Sequence, residues 1–193
     1  MKNDASTVFV RALAMSFERL SKTLLLVVFL LGGIALMGTP TAAVAGGGRI
    51  AVLEFELIDL TPLPGGAAEL ARTASLKPGL EQALENRYGY QPVAVDPKQV
   101  REANAGVGYL FDHSDIAATL GGRLGADWIA VGRIHKPSFL FAYLMVHLVE
   151  VESGRLMKDI IVEVKGPQAP VTARGVERLA EKIHAALARG PGT

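Results

Sequence analysis

His147 lies within KPSFLFAYLMVHLVEVESGR (136–155), in alternation with Phe139, Phe141, Tyr143 and Met145. A histidine, with a reference pKa near ~6.5, can exchange a proton close to neutrality when an acid orients it. Strand pairing supplies that acid. Glu152-Ser153-Gly154 suits a three-residue hairpin loop with Gly154 in the left-handed position, which pairs Val151 with Arg155. Continued, this register sets His147 opposite Asp159, Met145 opposite Ile161 and Tyr143 opposite Glu163. Read as chemistry, the pair is a general base; read as structure, it is a surface ion pair worth under ~1 kcal/mol.

Other residues have the right types for chemistry. Glu54, Glu56 and Asp59 stand where the first strand leaves its sheet, a favoured ligand position in α/β proteins, and would make an acidic pocket. Asp112, His113, Ser114 and Asp115 collect metal-ligand types, although Ser and Asp are also what a helix N-terminus selects. Gly121 to Ala126 has the glycines of a phosphate loop but precedes a strand, so it reads as a helix ending. His135 and Lys136 at a strand end could polarise a substrate or simply form a polar exit. No nucleophile elbow, zinc signature or dinucleotide fingerprint completes any of these groups. The expectation is a non-enzyme with no catalytic residue, metal or cofactor.

The N-terminus must be set aside before the elements are placed. Arg11, Arg19 and Lys22 precede an apolar run from Leu24 to Met37, and Ala43-Val44-Ala45 offers a small-x-small cleavage pattern. Residues 1–45 therefore read as a signal peptide, or as an anchor if left uncut. Removing them takes Lys2, Arg11, Arg19 and Lys22 with Asp4 and Glu18, so 20 basic and 19 acidic residues become 16 and 17, net −1. That balance argues against nucleic acid, whose backbone selects a concentrated basic surface. With no cysteine, neither a lipid-attachment site nor a disulfide framework exists. The expected compartment is the bacterial periplasm or the exterior, with membrane contact only through an uncut N-terminus.

Residues 46–193 then read as one α/β domain with its core over 49–188. RIAVLEFEL (49–57) predicts a first strand, with Ala51, Leu53, Phe55 and Leu57 on one side. Leu70, Leu76, Leu80 and Leu84 have helical spacing, with Pro78 a kink or break. YQPVAV is a short strand, Pro97 to Ala103 a brief helix, and DIAATLGGRLG a helix capped by Asp112 or Ser114 and ended by Gly125. ADWIAVGRIH is a third strand. Two long strands, about Ser138 to Val151 and Arg155 to Lys165, and a helix from about Val171 to Ala188 close the chain.

The order β-α-β-α-β-β-β-α predicts a two-layer sandwich. Its mixed five-stranded sheet has a parallel section and an attached antiparallel hairpin, with helices mainly on one face. Leu140, Ala142, Leu144, Val146 and Leu148 face the helices. The odd residues Phe139 to His147 line the opposite, open face, and exposed aromatics there mark a binding surface.

RIAVLEFELID, AELARTASLKPGLEQALENRYGYQPV and LGADWIAVGRIHKPSFLFAYLMVHLVEVESGRL resemble, in order and spacing, a family of secreted bacterial proteins known as a domain of unknown function. More distantly they are similar to the α/β domains of the TolB N-terminal region and the curli secretion protein CsgG. The likeness spans residues 49–166 and is most specific at Gly125-Ala126-Asp127, Gly132, Lys136, Ser138 and Gly154. The last helix departs from it, lacking the aromatic with which that helix begins in the family. The resemblance implies this fold and a role in envelope assembly, secretion or regulation through protein contacts. It also implies an association with periplasmic quinoprotein alcohol oxidation.

The leading expectation is therefore a non-catalytic envelope adaptor that binds a protein partner through the open face (Phe139, Phe141, Tyr143, Met145, His147) or the exposed strand edge. The alternative is a small-ligand or metal-binding module using Glu54, Glu56 and Asp59 or Asp112, His113 and Asp115. A hydrolase built on His147 is a third class.

Overall fold

The computed structural model describes residues 47–62 and 65–189, and the expected signal peptide lies outside them. Six strands form one mixed sheet: β1 (Arg49–Val52), β2 (Glu56–Asp59), β3 (Gln91–Pro92), β4 (Trp128–Lys136), β5 (Phe141–Glu150) and β6 (Leu156–Lys165). Their order is β3-β1-β4-β5-β6, with β2 also pairing β4. β1 runs parallel to β3 and β4, and β4-β5-β6 is antiparallel, as the element pattern required. The helices are α1 (Ala67–Tyr88), α2 (Pro97–Ala103), α3 (Tyr109–Asp112), α4 (Ser114–Leu124) and α5 (Ala169–Arg189).

Alternation along β5 decides the layers. Ala142, Leu144, Val146 and Leu148 are buried against Leu76, Leu80 and Leu84 of α1 and Val176, Leu179 and Ile183 of α5. Burying one such leucine contributes about 2 kcal/mol. The close fit shows at Gly175 in α5, where a Cβ would lie 2.5 Å from Val164 and 2.9 Å from Leu144. The two long helices thus share one face. The short α2–α4 cover part of the other, over Ala51, Leu53, Ile129, Val131 and Val149.

The first predicted strand is divided, which accounts for six strands in place of five. Val52 pairs with Ala130 but Glu56 with Arg133, so this segment carries one residue more than β4. An extra residue reverses the side-chain alternation. Ala51 and Leu53 therefore pack under α4, whereas Phe55 and Leu57 pack with α1 and α5, correcting the expectation of one shared side. Gly132 permits the reversal, because the Phe55 ring crosses it within 2.6 Å of where a Cβ would stand.

The β5–β6 register is the expected one from Phe141↔Lys165 to Leu148↔Lys158. The turn is not. Glu150 N–H donates to Arg155 O, so four residues, Val151 to Gly154, form the loop, and the register shifts between Leu148 and Val149. Val151 leaves the hairpin because its side chain packs on Gly121 and its N–H donates to Asp127 O. The shift at the far side compensates for the longer loop.

Smaller expectations are corrected too. Pro78 does not break α1, which continues through it. Leu70 is exposed, since it lies off the stripe that Leu76, Leu80 and Leu84 bury, and Leu140, expected to face the helices, is 77% exposed because β5 begins only at Phe141. Neither Asp112 nor Ser114 caps α4; His113 holds the N-cap position without a side-chain bond, and Ser114 is already helical, whereas Gly125 ends the helix at φ 76° as expected.

Candidate functional site

The odd residues of β5 do share a face, and its cover is uneven. At one end α3 lies over His147. The Phe111 ring stacks on the imidazole at 3.6 Å, and the Phe111 carbonyl accepts from His147 Nδ1 at 2.7 Å. Nε2 of His147 faces Asp159 Oδ1 at 3.6 Å, beyond hydrogen-bond reach. The Arg133 guanidinium sits 3.5 Å from the Phe111 ring centre and 3.8 Å from Asp112. Glu56 holds the start of α3 by accepting the Gly108 N–H at 2.8 Å, where Gly108 has φ 82°. His147 is thus a clamp for α3, with Met145 packed beside it.

Beyond Met145 the cover stops. Phe141 and Tyr143 are half-buried with their rings edge to face at 5.6 Å. Phe139 is 57% exposed and Ile161, across from Met145, is 43% exposed. His135, opposite Tyr143, and Ile58, opposite His135, continue the strip. Of the five residues expected on the aromatic face, the structure keeps Phe141 and Tyr143 together at the open end and Met145 and His147 under α3, whereas Phe139 precedes β5 and sets its ring 5.6 Å from Nζ of Lys136, the lysine that pairs with Asp59 and Glu69.

The three acids of the expected pocket diverge. Glu54 pairs with Lys77 at 3.1 Å, and Glu56 turns to Gly108 on the other face. Asp59 enters a network that sequence reading missed. Its carboxylate accepts from the Thr61 hydroxyl and amide at 2.7 and 3.0 Å and from Lys136 Nζ at 3.2 Å. Lys136 also meets Glu69 at 3.1 Å, Glu69 meets Arg72 at 3.0 Å, and Arg72 Nε donates to Thr172 at 2.9 Å. Burial would push the Asp59 carboxyl up, but the Thr61, Lys136 and Gly65 bonds outweigh it and hold it at about 2. Burial likewise disfavours the Lys136 cation, yet Glu69 and Asp59 raise its pKa above the ordinary lysine value. Only the pairing of Lys136 with acids 67 and 77 residues away could have announced this network, and spacing alone does not give it.

Asp112, His113 and Asp115 do not converge either. Asp112 faces Arg133, His113 stacks on Tyr109 at 4.2 Å with Nδ1 2.8 Å from Tyr109 O, and Asp115 occupies the first turn of α4. Among the described residues no three His, Asp or Glu side chains group as a metal site, and no helix is long and apolar enough to cross a membrane. Gly121 serves packing, because a Cβ there would lie 2.6 Å from Val151 and 3.3 Å from Ile129.

The domain is thus an α/β sandwich with one sealed sheet face and one partly open face. Residues 48–183 match the family described as "Protein of unknown function (DUF2380)", and the chain belongs to that family. The match reaches into α5, beyond the segment on which the sequence resemblance rested. No curated protein matches the chain. Among solved structures it is similar to the hypothetical protein CT253 from Chlamydia trachomatis, at 12% identity and TM-score 0.54, over 75% of this chain and 99% of that one. That likeness extends to the fold alone. TolB from Acinetobacter baumannii matches at 16% identity and TM-score 0.48, over 76% of this chain but 29% of TolB. The C-terminal domain of LpoB from Salmonella enterica matches at 16% identity and TM-score 0.44, over 64% and 86%.

Proposed function

We propose that this chain is a non-catalytic accessory protein of the bacterial cell envelope, periplasmic or secreted once residues 1–45 are removed, that binds another protein through the open end of its sheet. The carrying observation is the strip of Phe141, Tyr143 and Ile161, which the short helices leave partly exposed while they close over His147, with the exposed Phe139 just before it in the chain. Rigid aromatic rings on a sheet lose little conformational freedom on binding and offer a large contact area, which suits them to anchor a partner. The divergence of the acidic residues and the use of His147 as a clamp give the ligand-binding and hydrolase readings no comparable support.

The test is a photo-crosslinking amino acid at Tyr143 in whole cells, followed by binding measurements with the captured protein in purified form. Phe141→Ser with Tyr143→Lys should abolish that binding while circular dichroism still shows a cooperatively folded domain. Equal binding by the double variant would overturn the proposal.

A further inference from the structure

We infer that the free edge of β6, with the basic ridge of α5 beside it, is a strand-docking groove for an acidic, extended segment of a partner protein. The inference shares with the proposed function the premise of protein contacts but uses different atoms. β6 ends the sheet order, so one side of its backbone has no strand partner among the described residues. Gly166 N–H donates to Leu140 O, which places the even residues of β6 in hydrogen-bonded register with β5 and turns the N–H and C=O groups of Asp159, Ile161 and Glu163 outward. Lys182 Nζ reports the same direction, donating from outside to Ile161 O at 2.8 Å.

Two surface hollows follow this edge. One, of ≈ 450 Å³, is bordered by Lys165, Arg174 and Arg178, with Glu163 its one carboxylate. The other, of ≈ 230 Å³, is bordered by Lys158, Lys182 and Arg189, with Asp159 its one carboxylate. Both carboxylates already face cationic or ionisable neighbours, Glu163 towards Lys165 and Asp159 towards His147, each at 3.6 Å. Arg174, Arg178 and Lys182 are exposed and have no carboxylate within ion-pair distance among the described residues. The groove is therefore net positive at both ends.

The spacings also fit. Arg174, Arg178 and Lys182 recur every fourth residue, about 6 Å apart along a helix, and alternate side chains of a strand recur about 6.6 Å apart. An added strand would turn one set of side chains to this basic ridge and the other towards Ile161 on the open face. Acids belong at the first set and β-branched residues at the second. In the free protein Lys182 blunts the edge by occupying Ile161 O; on docking its ammonium is released to a carboxylate.

The probe is a fluorescent peptide of about five Glu-Val repeats, roughly the length of β6, titrated by anisotropy. It should bind, weaken with salt, and lose at least about tenfold in affinity to Arg174→Glu with Arg178→Glu. Ile161→Pro should also abolish binding, because it removes an outward N–H and no bond to β5. A Lys-Val peptide that binds equally well would overturn the basic ridge. A Glu-Pro peptide that binds wild type equally well would overturn strand pairing, and this readout stands even if Ile161→Pro fails to fold. Phosphatidylglycerol vesicles that bind where the Glu-Val peptide does not would overturn the assignment to protein. Peptide binding without a Tyr143 crosslink sinks only the open-face proposal, and the reverse result sinks only this one.

Discussion

The two faces of the sheet use polar residues in opposite ways. Under α1 and α5 the charged groups are largely buried and paired with one another: Asp59 and Glu69 flank Lys136, and Arg72 ties Glu69 to Thr172 of α5, leaving only its Nη2 without a partner among the described residues. On the other face Arg133 and His147 hold one short helix down through Phe111, and past them aromatic side chains stand in partial contact with solvent. The first arrangement fixes how α1, α5 and the sheet meet. The second closes half a face and leaves the rest available. A charged side chain in this domain is therefore no guide to chemistry until its surroundings are known.

The sharpest way to break the comparison is at Lys136. Lys136→Met leaves Asp59 and Glu69 without their shared cation and should cost about 3–5 kcal/mol in urea unfolding. A loss no larger than that of a surface substitution would show that the network is not what joins the helices to the sheet. Next comes the contrast between neighbouring residues of β5. Leu144→Ala should cost about 3 kcal/mol, because it opens a cavity between α1, α5 and β5, whereas Tyr143→Ala should cost about 1 kcal/mol or less. Equal losses would mean that the open face is as sealed as the other.

The smallest effect is in acid. Asp59 titrates at about 2 in the folded chain against an ordinary 3.8, so its contribution is complete above about pH 4 and is lost as pH falls from there towards 2. Urea midpoints across that range should fall less steeply in Asp59→Asn than in wild type. Lys136, with its pKa raised, keeps its contribution at every pH below the ordinary lysine value and loses it only above.

Much of the fold was legible because alternation is a local property. The even–odd split of β5, its pairing with β6 from Phe141 to Leu148 and the ending of α4 at Gly125 all follow from residue type and spacing. The misreadings fall where the chain breaks its own period. The extra residue before Glu56 sends Phe55 and Leu57 to the face opposite Leu53, and Gly132, a residue distant in sequence, leaves the room that the Phe55 ring needs there. Val151 leaves the hairpin for the same kind of reason, a gap above Gly121. The candidate residues fared according to their reach. Phe141 and Tyr143 needed only parity to be placed on one face, Phe139 falls before β5 where parity does not reach, and Glu54, Glu56 and Asp59 were grouped by nearness in sequence and separated by the reversal among them.

By itself the sequence determined the order of the elements, the mixed sheet and which side of β5 is dry, because hydrophobic periodicity acts between near neighbours and needs no third element. Only the tertiary structure decided that α3 stops at His147, that Lys136 is shared by two acids and that a row of basic residues borders the free edge of β6. Those are meetings of segments far apart along the chain. Their geometry is set by how α1, α5 and the short helices pack, and local spacing carries no record of it.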